Sequence, residues 1–397
     1  DGGKFVPDSR NSPLFESLGM VSGSVFSDLD GDGDPDLVLA TEWGPVYVLM
    51  NENGILRNET DELGFSDYKG WWNGVKTGDL DGDGKMDIIA TNWGLNSKYH
   101  LDKEHPLRVY YSDFNDDGTL DVVEAHYDEN MKEIVPERGL SCSSNAMPFI
   151  KERTPTYEKY GTASLIDIYG EGLAESEMAT ANTLEHMVFL NRGEGFQAVS
   201  LPVEAQFTPS FGVGVADFDG DGNEDVFMTQ NFFAAQIETP RIDAGRGLLL
   251  KGDGKGNLAP VPGQESGIKV YGDQRGAAFS DYDNDGRLDL VVSQNGAETK
   301  LYRNIGAEPG LRVRLKGPKG NPDGIGAQIR LVSGEEYGPA REMHAGSGYW
   351  SQDSFVQVLA APREPAQISV VWPGGEKTLS DIPSDANEIV VSIDGSV

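Results

Sequence analysis

The chain has 397 residues and a formal net charge of −33, from 65 acidic and 32 basic side chains. Such a balance repels polyanions and argues against nucleic acid and anionic membranes as partners. No apolar run reaches the roughly 18 residues of a membrane-spanning helix. Cys142 is the only cysteine, so an internal disulfide is excluded. The length suits one large repeat domain with a smaller one.

Five acidic nine-residue loops recur along the chain, beginning at Asp28, Asp79, Asp113, Asp217 and Asp281. Oxygen ligands at positions 1, 3, 5 and 9 suit Ca²⁺, and intervening glycines let the backbone curl around the ion. Position 7 is expected to contribute its backbone carbonyl, because its side chain varies. The predicted ligands of about five Ca²⁺ ions are Asp28, Asp30, Asp32, Asp34 and Asp36; Asp79, Asp81, Asp83, Lys85 and Asp87; Asp113, Asn115, Asp117, Thr119 and Asp121; Asp217, Asp219, Asp221, Asn223 and Asp225; and Asp281, Asp283, Asp285, Arg287 and Asp289.

These loops are not EF-hands. An EF-hand has a helix on each side and a Glu at position 12, whereas here only the third loop carries an acid there, Glu124. The flanks are short β-branched or apolar runs, such as residues 24–27 and 36–40, which are typical of strands. The alternative for each loop is a solvated acidic turn without metal.

The repeated unit predicts four strands, counting the one before the loop, and tandem four-stranded units indicate a β-propeller. The third loop follows the second too closely for a full blade, so we expect it to join the outer strands of the second blade. Residues 167–175 mimic the loop spacing; they are interpreted either as a decayed, metal-free repeat or as part of a helical insertion. One helical face would then hold Tyr157, Tyr160, Ser164, Leu165 and Ile168. The expected blade count is seven, with six as the alternative.

The last repeat lacks a fourth strand, and Gly3–Pro7 resembles the start of one. We therefore predict that the N-terminal segment closes the last blade. After Gly310 the acidic pattern stops and strand-like runs follow, which predicts a small β-sandwich. The expected domains are a calcium-binding propeller over residues 1–309 and a sandwich over residues 310–397. Its expected strands are Leu311–Leu315, Ala327–Val332, Phe355–Leu359, Gln367–Trp372 and Glu388–Ile393.

Several other features could carry function. Trp43 and Trp93 occupy equivalent repeat positions, which favours packing, although tryptophans lining one face could stack on sugar rings. Residues 99–108 include His100 and His105, which could serve as an acid or base in an interrupting loop. The glycine-rich stretch from His344 to Gln352 is expected to be a tight turn that packs Tyr349 and Trp350 on the propeller, with a ligand loop as the alternative.

The repeats resemble FG-GAP/VCBS repeats of integrin-like propellers, and the tail resembles the ASPIC/UnbV domain in residues 324–327, 344–352 and 371–375. Together they resemble bacterial relatives of the cartilage acidic protein family. The resemblance implies a calcium-bound propeller, usually seven-bladed, packed on a transthyretin-like sandwich, and secreted or held at the cell surface.

From these observations we expect a secreted, periplasmic or cell-surface monomer that binds an unknown protein or carbohydrate and has no catalytic role. The N-terminus shows no signal sequence, but a mature secreted chain would look the same. The alternative is a carbohydrate-active enzyme, such as a polysaccharide lyase or sugar dehydratase, which rests on fold analogy alone.

Overall fold

The computed structural model describes residues 5–236, 239–346, 348–360 and 366–397. The chain is all-β in character, with mostly antiparallel sheets and a few short helices. No helix within the described ranges is long and apolar enough to cross a membrane.

The first sheet shows how an acidic loop sits in the fold. Its strands follow chain order and are antiparallel, and the first loop is the turn between β1 and β2, where Ser27 pairs with Asp36. A fifth, short strand pairs with the far end of β2. The strands are β1 (Met20–Ser27), β2 (Asp36–Gly44), β3 (Tyr47–Glu52), β4 (Ile55–Asn58) and β5 (Gly70–Trp71).

The second sheet is interrupted by an inserted sheet. The second sheet contains β6 (Gly74–Gly78), β7 (Asp87–Thr91), β12 (Met187–Asn191) and β13 (Phe196–Ser200). Between β7 and β12 the chain forms a separate sheet of β8 (Leu107–Ser112), β9 (Asp121–Asp128), β10 (Glu133–Pro136) and β11 (Glu177–Ala181). The prediction that the third loop joins outer strands of the second blade is therefore wrong. That loop joins β8 and β9, because β12 already pairs with β7.

The insertion also contains the helices α1 (Leu140–Ala146), α2 (Ile150–Arg153), α3 (Tyr157–Gly161) and α4 (Leu165–Tyr169), followed by a 3-10 turn at Glu171–Glu175. The helical interpretation is thus confirmed over a decayed repeat, since Asp167 lies in the first turn of α4 and forms a capping box with Ser164. The expected single helical face is split between two short helices. Tyr160 is buried whereas Tyr157 is exposed.

Two further sheets complete the region before residue 310. The first contains β14 (Val213–Ala216), β15 (Asp225–Met228), β16 (Leu248–Gly252) and β17 (Leu258–Val261), followed by α5 (Gly263–Ser266). The next has three strands in the described chain, β18 (Asp273–Ser280), β19 (Asp289–Asn295) and β20 (Lys300–Tyr302). Other 3-10 turns are Ser12–Phe15, Phe65–Asp67 and Ala205–Phe207.

The predicted closure by Gly3–Pro7 is not formed by its described part. Residues 1–4 lie outside the described residues, while Phe5 and Val6 are exposed and belong to no strand. The segment that follows packs instead on the first sheet. The Asn11 side chain bonds to Gly54 and Leu56 at 3.0 Å each, because its amide matches free backbone groups at the edge strand β4.

Two sheets follow residue 310, and all five strands expected there are present. One sheet contains β25 (Gln357–Leu359), β21 (Leu311–Lys316) and β28 (Glu388–Ser392), in that order. The other contains β22 (Gln328–Ser333), β23 (Glu336–Tyr337), β24 (Arg341–Glu342), β26 (Ala366–Val371) and β27 (Lys377–Asp381). Buried apolar residues of both sheets, including Val313 and Ile368, form one cluster.

The first strands of four sheets lie side by side. Strand β1 packs on β6, β6 on β14, and β14 on β18. Each of these strands leads directly into an acidic loop. This arrangement brings four loops around one shared region, while the inserted sheet with the third loop stays outside it. The blade count of seven, or six, stays a prediction.

Candidate metal centres

Each acidic loop is curled by hydrogen bonds from its own backbone. In the first loop the Asp28 carboxylate accepts from Gly31 N at 2.8 Å and Gly33 N at 3.0 Å. The amide at position 6 also donates to position 1 in the other four loops, at 2.8–2.9 Å. Asp36, at position 9, accepts from Leu29 N, so both ends of the loop are fixed.

Carboxylates converge in four of the five loops. In each, three acidic residues bring oxygens within 4.8 Å of one another. Within the described ranges the third loop forms no such group, because Asn115 places an amide where the others have a carboxylate. The four groups are Asp28, Asp30 and Asp32; Asp79, Asp81 and Asp87; Asp217, Asp219 and Asp225; and Asp281, Asp283 and Asp285.

Side chains at position 7 lie outside these groups. The Lys85 ammonium is 2.8 Å from Asp83, and the Arg287 guanidinium is 3.1 Å from Asp285. Asp34 accepts from the backbone amide of Asn53 at 2.9 Å. These contacts leave the position-7 carbonyl as the group that could reach an ion, which is the role expected for Asp34, Lys85, Thr119, Asn223 and Arg287.

The loops fit a hard divalent cation. Burial raises the pKa of Asp36, Asp87 and Asp225 to about 7, so clustering them without a cation is unfavourable. The Asp79 Oδ1 and Asp283 Oδ1 atoms are buried without a hydrogen-bond partner. Unsatisfied carboxylate oxygens that face other carboxylates are the ligands that Ca²⁺ prefers. The acidic clusters could therefore bind metal ions.

The segment after residue 310 contacts the same loops. Ala340 N donates to Asp79 Oδ2 at 2.7 Å, and the Arg312 guanidinium is 2.6 Å from Asp281 Oδ2. Asp28 N donates to Glu342 at 2.8 Å. In the loop that begins at Asp217, Ala360 lies beside Gly222. The four clustered loops therefore all face the segment after residue 310.

A central segment, residues 340–346 and 348–354, runs between the first strands of the sheets. Asp353 lies 3.4 Å from the buried Lys76 ammonium of β6 and accepts from Phe279 N of β18 at 3.0 Å. Tyr349 packs on Phe211 with ring centroids 5.6 Å apart. The predicted packing of Tyr349 is confirmed, whereas that of Trp350 is wrong, because its side chain is 94% exposed.

The histidine-containing loop gives no support to an acid–base role. His105 stacks on Tyr127 and lies 3.7 Å from Asp102, while His100 is exposed. His186 is fully buried: its Nδ1 accepts from Asn92 N at 2.7 Å, and its Nε2 is 2.9 Å from Thr208 O. Burial lowers the pKa of His186 to about 4, so it is a neutral structural residue.

The tryptophans pack together and also line a cavity. Trp71 contacts Trp43 and Trp93 at centroid distances of 5.0 and 5.4 Å. The packing expected for the equivalent pair Trp43 and Trp93 is confirmed. Sequence reasoning missed Phe232, whose ring centroid lies 5.1 Å from that of Trp93. Phe232 is distant from Trp93 in sequence and lies in a segment without a repeat motif.

Comparison with known proteins agrees with the repeat and tail motifs. Residues 28–90 match the family model of an FG-GAP-like repeat, and residues 317–394 match that of ASPIC and UnbV. Cartilage acidic protein 1 of Mus musculus is 21% identical over 325 residues, which cover 79% of this chain and 46% of that protein. T-cell immunomodulatory protein of Homo sapiens is 24% identical over 239 residues, covering 53% of this chain and 38% of that protein.

The chain spans less than half the length of these two curated relatives. Among solved structures, the rhamnogalacturonan lyase YesW has a TM-score of 0.31 at 14% identity, covering 92% of this chain and 58% of that chain. A likeness this low does not bear on activity. The chain carries an FG-GAP-like repeat and an ASPIC and UnbV segment, and it is similar to cartilage acidic protein 1, as its motifs indicate.

Proposed function

We propose that this chain is a calcium-stabilised propeller protein that acts in binding or adhesion outside the cytosol. The observation that carries the proposal is the set of four acidic clusters, two of which hold a buried carboxylate oxygen without a partner. In this proposal the five predicted loops, including the third, supply the Ca²⁺ ligands, and the ions hold the loops in the form that the C-terminal sheets contact.

The architecture in this proposal is a propeller of seven blades, or six, over residues 1–309 and a transthyretin-like sandwich over residues 310–397. The side-by-side first strands of four sheets support the propeller. The apolar cluster shared by the two sheets after residue 310 supports the sandwich. We also propose that the protein is a monomer with a protein or glycan ligand, and that it is secreted, periplasmic or at the cell surface, where millimolar calcium suits such loops.

Calcium removal tests the proposal directly. The purified chain is melted after chelation and again after millimolar CaCl₂ is restored, with MgCl₂ as the matched ion. Binding to the folded state alone stabilises it by about 2.7 kcal/mol per site at a hundredfold excess over Kd, so calcium should raise Tm strongly and magnesium should not. If neither the chelator nor calcium changes Tm, the proposal is wrong.

A carbohydrate-active enzyme is the second candidate. It would predict turnover of a sugar or polysaccharide and loss of that turnover in His105→Ala. The placement of His105 on Tyr127 does not favour it. A screen that finds calcium-dependent folding and no turnover leaves the binding function ahead.

A further inference from the structure

A cavity of about 590 Å³ opens at the ends of strands β2 and β7 that lie away from the metal loops. Strand β2 begins with a loop aspartate, Asp36, and reaches Trp43 near its other end, while Trp93 follows β7. The volume is in the range of small-molecule sites. The cavity is therefore separate from the calcium loops and from the docking of the C-terminal sheets.

Aromatic rings form one wall of this cavity. Trp43, Trp71, Trp93, Tyr99 and Phe232 all line it, and Trp71 lies at the centre of the group. The indole Nε1 of Trp71 is buried and has no hydrogen-bond partner among the described residues. A donor left unpaired in this way is costly unless a ligand or solvent accepts from it.

Trp43 lies at a β-bulge in the pairing of β2 with β5, between Glu42 and Gly44. Its φ of 59° is in the left-handed region, which a bulky side chain rarely adopts. Such a conformation persists where surrounding contacts fix it, often at ligand sites. The bulge residue Trp43 lines the cavity, and the equivalent Trp93 lines it too, without a positive φ.

Charged side chains also line the cavity, and their formal charges balance. Three bases and three acids line the cavity. Arg138 pairs with Glu124 at 2.8 Å and Arg241 with Asp243 at 3.5 Å, both within the lining, whereas Lys98 pairs at 2.8 Å with Glu137, which does not line the cavity. The lining offers many hydrogen-bonding groups and little net charge. It therefore does not favour an anionic ligand, and the net charge of −33 on the whole chain opposes one further.

We infer that this cavity binds a neutral oligosaccharide. Flat indole faces suit the apolar faces of sugar rings, and paired charges can donate to and accept from hydroxyl groups without attracting an ion. Two of the three lining acids, Glu124 and Asp243, are paired with lining bases. Burial raises the pKa of the third, Glu42, which weakens its attraction for a small organic cation. This inference rests on the proposed binding function and gives its ligand class.

The test measures binding to the whole calcium-loaded chain by calorimetry. The probes are neutral hexasaccharides of glucose, mannose and xylose, with an oligogalacturonate and choline as the charged alternatives. At least one neutral probe should bind and quench tryptophan fluorescence. Trp93→Ala should raise its Kd about tenfold. The matched control is Trp350→Ala, which removes an exposed tryptophan that does not line the cavity and should leave Kd unchanged.

The wild-type panel decides the outcome even if a cavity variant folds poorly. The inference is overturned if no neutral probe binds, if only oligogalacturonate or choline binds, or if Trp93→Ala and Trp350→Ala bind alike. Tm with and without calcium is recorded on the same samples. If calcium raises Tm but no sugar binds, only this inference is overturned. If calcium does not change Tm, the proposed function is overturned.

Discussion

Arg341 and Glu224 form a buried ion pair between the C-terminal sheets and the sheet of β14–β17. Arg341 Nη2 is 2.6 Å and Nε 3.1 Å from Glu224 Oε1, and both side chains are at most 8% exposed. The remaining Nη1 donates to Val358 O at 2.6 Å. The guanidinium therefore joins two parts of the chain that are distant in sequence.

Breaking this pair should destabilise the fold. Glu224→Gln removes the hydrogen-bonded counter-charge of the buried Arg341 guanidinium, which costs about 3–5 kcal/mol. Urea unfolding measures the change. The matched control is Glu52→Gln, which breaks the exposed Arg57–Glu52 pair at 2.8 Å and should cost no more than about 1 kcal/mol. Equal losses in the two variants would contradict the structure.

Gly33 and Gly31 give a matched pair within the first loop. Both have positive φ, at 91° and 79°, so alanine is strained at either position. A Cβ at Gly33 would lie 2.6 Å from Gly375 N, whereas one at Gly31 would meet nothing within 4 Å. Gly33→Ala should therefore cost about 1–3 kcal/mol more than Gly31→Ala in thermal or urea unfolding. Similar losses would mean that the C-terminal sheets do not seat on this loop.

His186 predicts a loss of stability in mild acid. Its folded pKa of about 4 is below the ordinary value of 6.5, so the unfolded chain takes up the proton first as pH falls. The stability that depends on neutral His186 is complete above pH 6.5 and is lost between pH 6.5 and 4, by about 3 kcal/mol. The free energy of unfolding, measured across this window, should fall less steeply in His186→Gln than in wild type.

The exposed His100 provides the control for that profile. His100→Gln should follow the wild-type curve, because its side chain is in solvent before and after unfolding. Parallel curves for wild type and His186→Gln would show that His186 does not titrate differently in the two states.

The loops differ in how much each should contribute to calcium stabilisation. Asp79→Asn removes one carboxylate from a three-carboxylate cluster that also accepts from Ala340 N. It should reduce the calcium-induced rise in Tm. Asp113→Asn makes the same change at the same position of the third loop, which forms no such cluster in the described chain, and its effect should be smaller. The reverse order would place the strongest site in the inserted sheet.

Local patterns predicted the loops and their flanking strands because the relevant information lies within about ten residues. Ser27 and Asp36 pair across one loop, as the repeat indicates. Nothing in the nearby sequence indicates that Met187 pairs with Ala90. The insertion between them could therefore be recognised as a break in the repeat, but its position in the fold could not be predicted. The aromatic cavity was also only partly predictable. Trp43 and Trp93 occupy equivalent positions in the repeats, whereas nothing in the sequence near Phe232 indicates that it contacts Trp93.

The individual contacts by which the C-terminal sheets dock on the loops could not be predicted from the sequence. The acidic pattern predicts one ion for each loop and gives no reason to expect that Asp79 also accepts from Ala340 N. Similarly, no strand is predicted over residues 341–342, yet Arg341 and Glu342 of the short strand β24 reach Glu224 and Asp28. Polar contacts between residues far apart in sequence do not produce a periodic pattern from which they could be predicted.

The central segment is synthesised after the strands that it contacts, and this order bears on how the chain folds. Its partners on β1, β6 and β18 leave the ribosome long before it does, and the Ser27 hydroxyl must wait for Glu342, 315 positions later. Contacts so distant in sequence slow folding, since the chain entropy is lost before they form. The sheets before residue 310 are therefore synthesised before the central segment that contacts three of them.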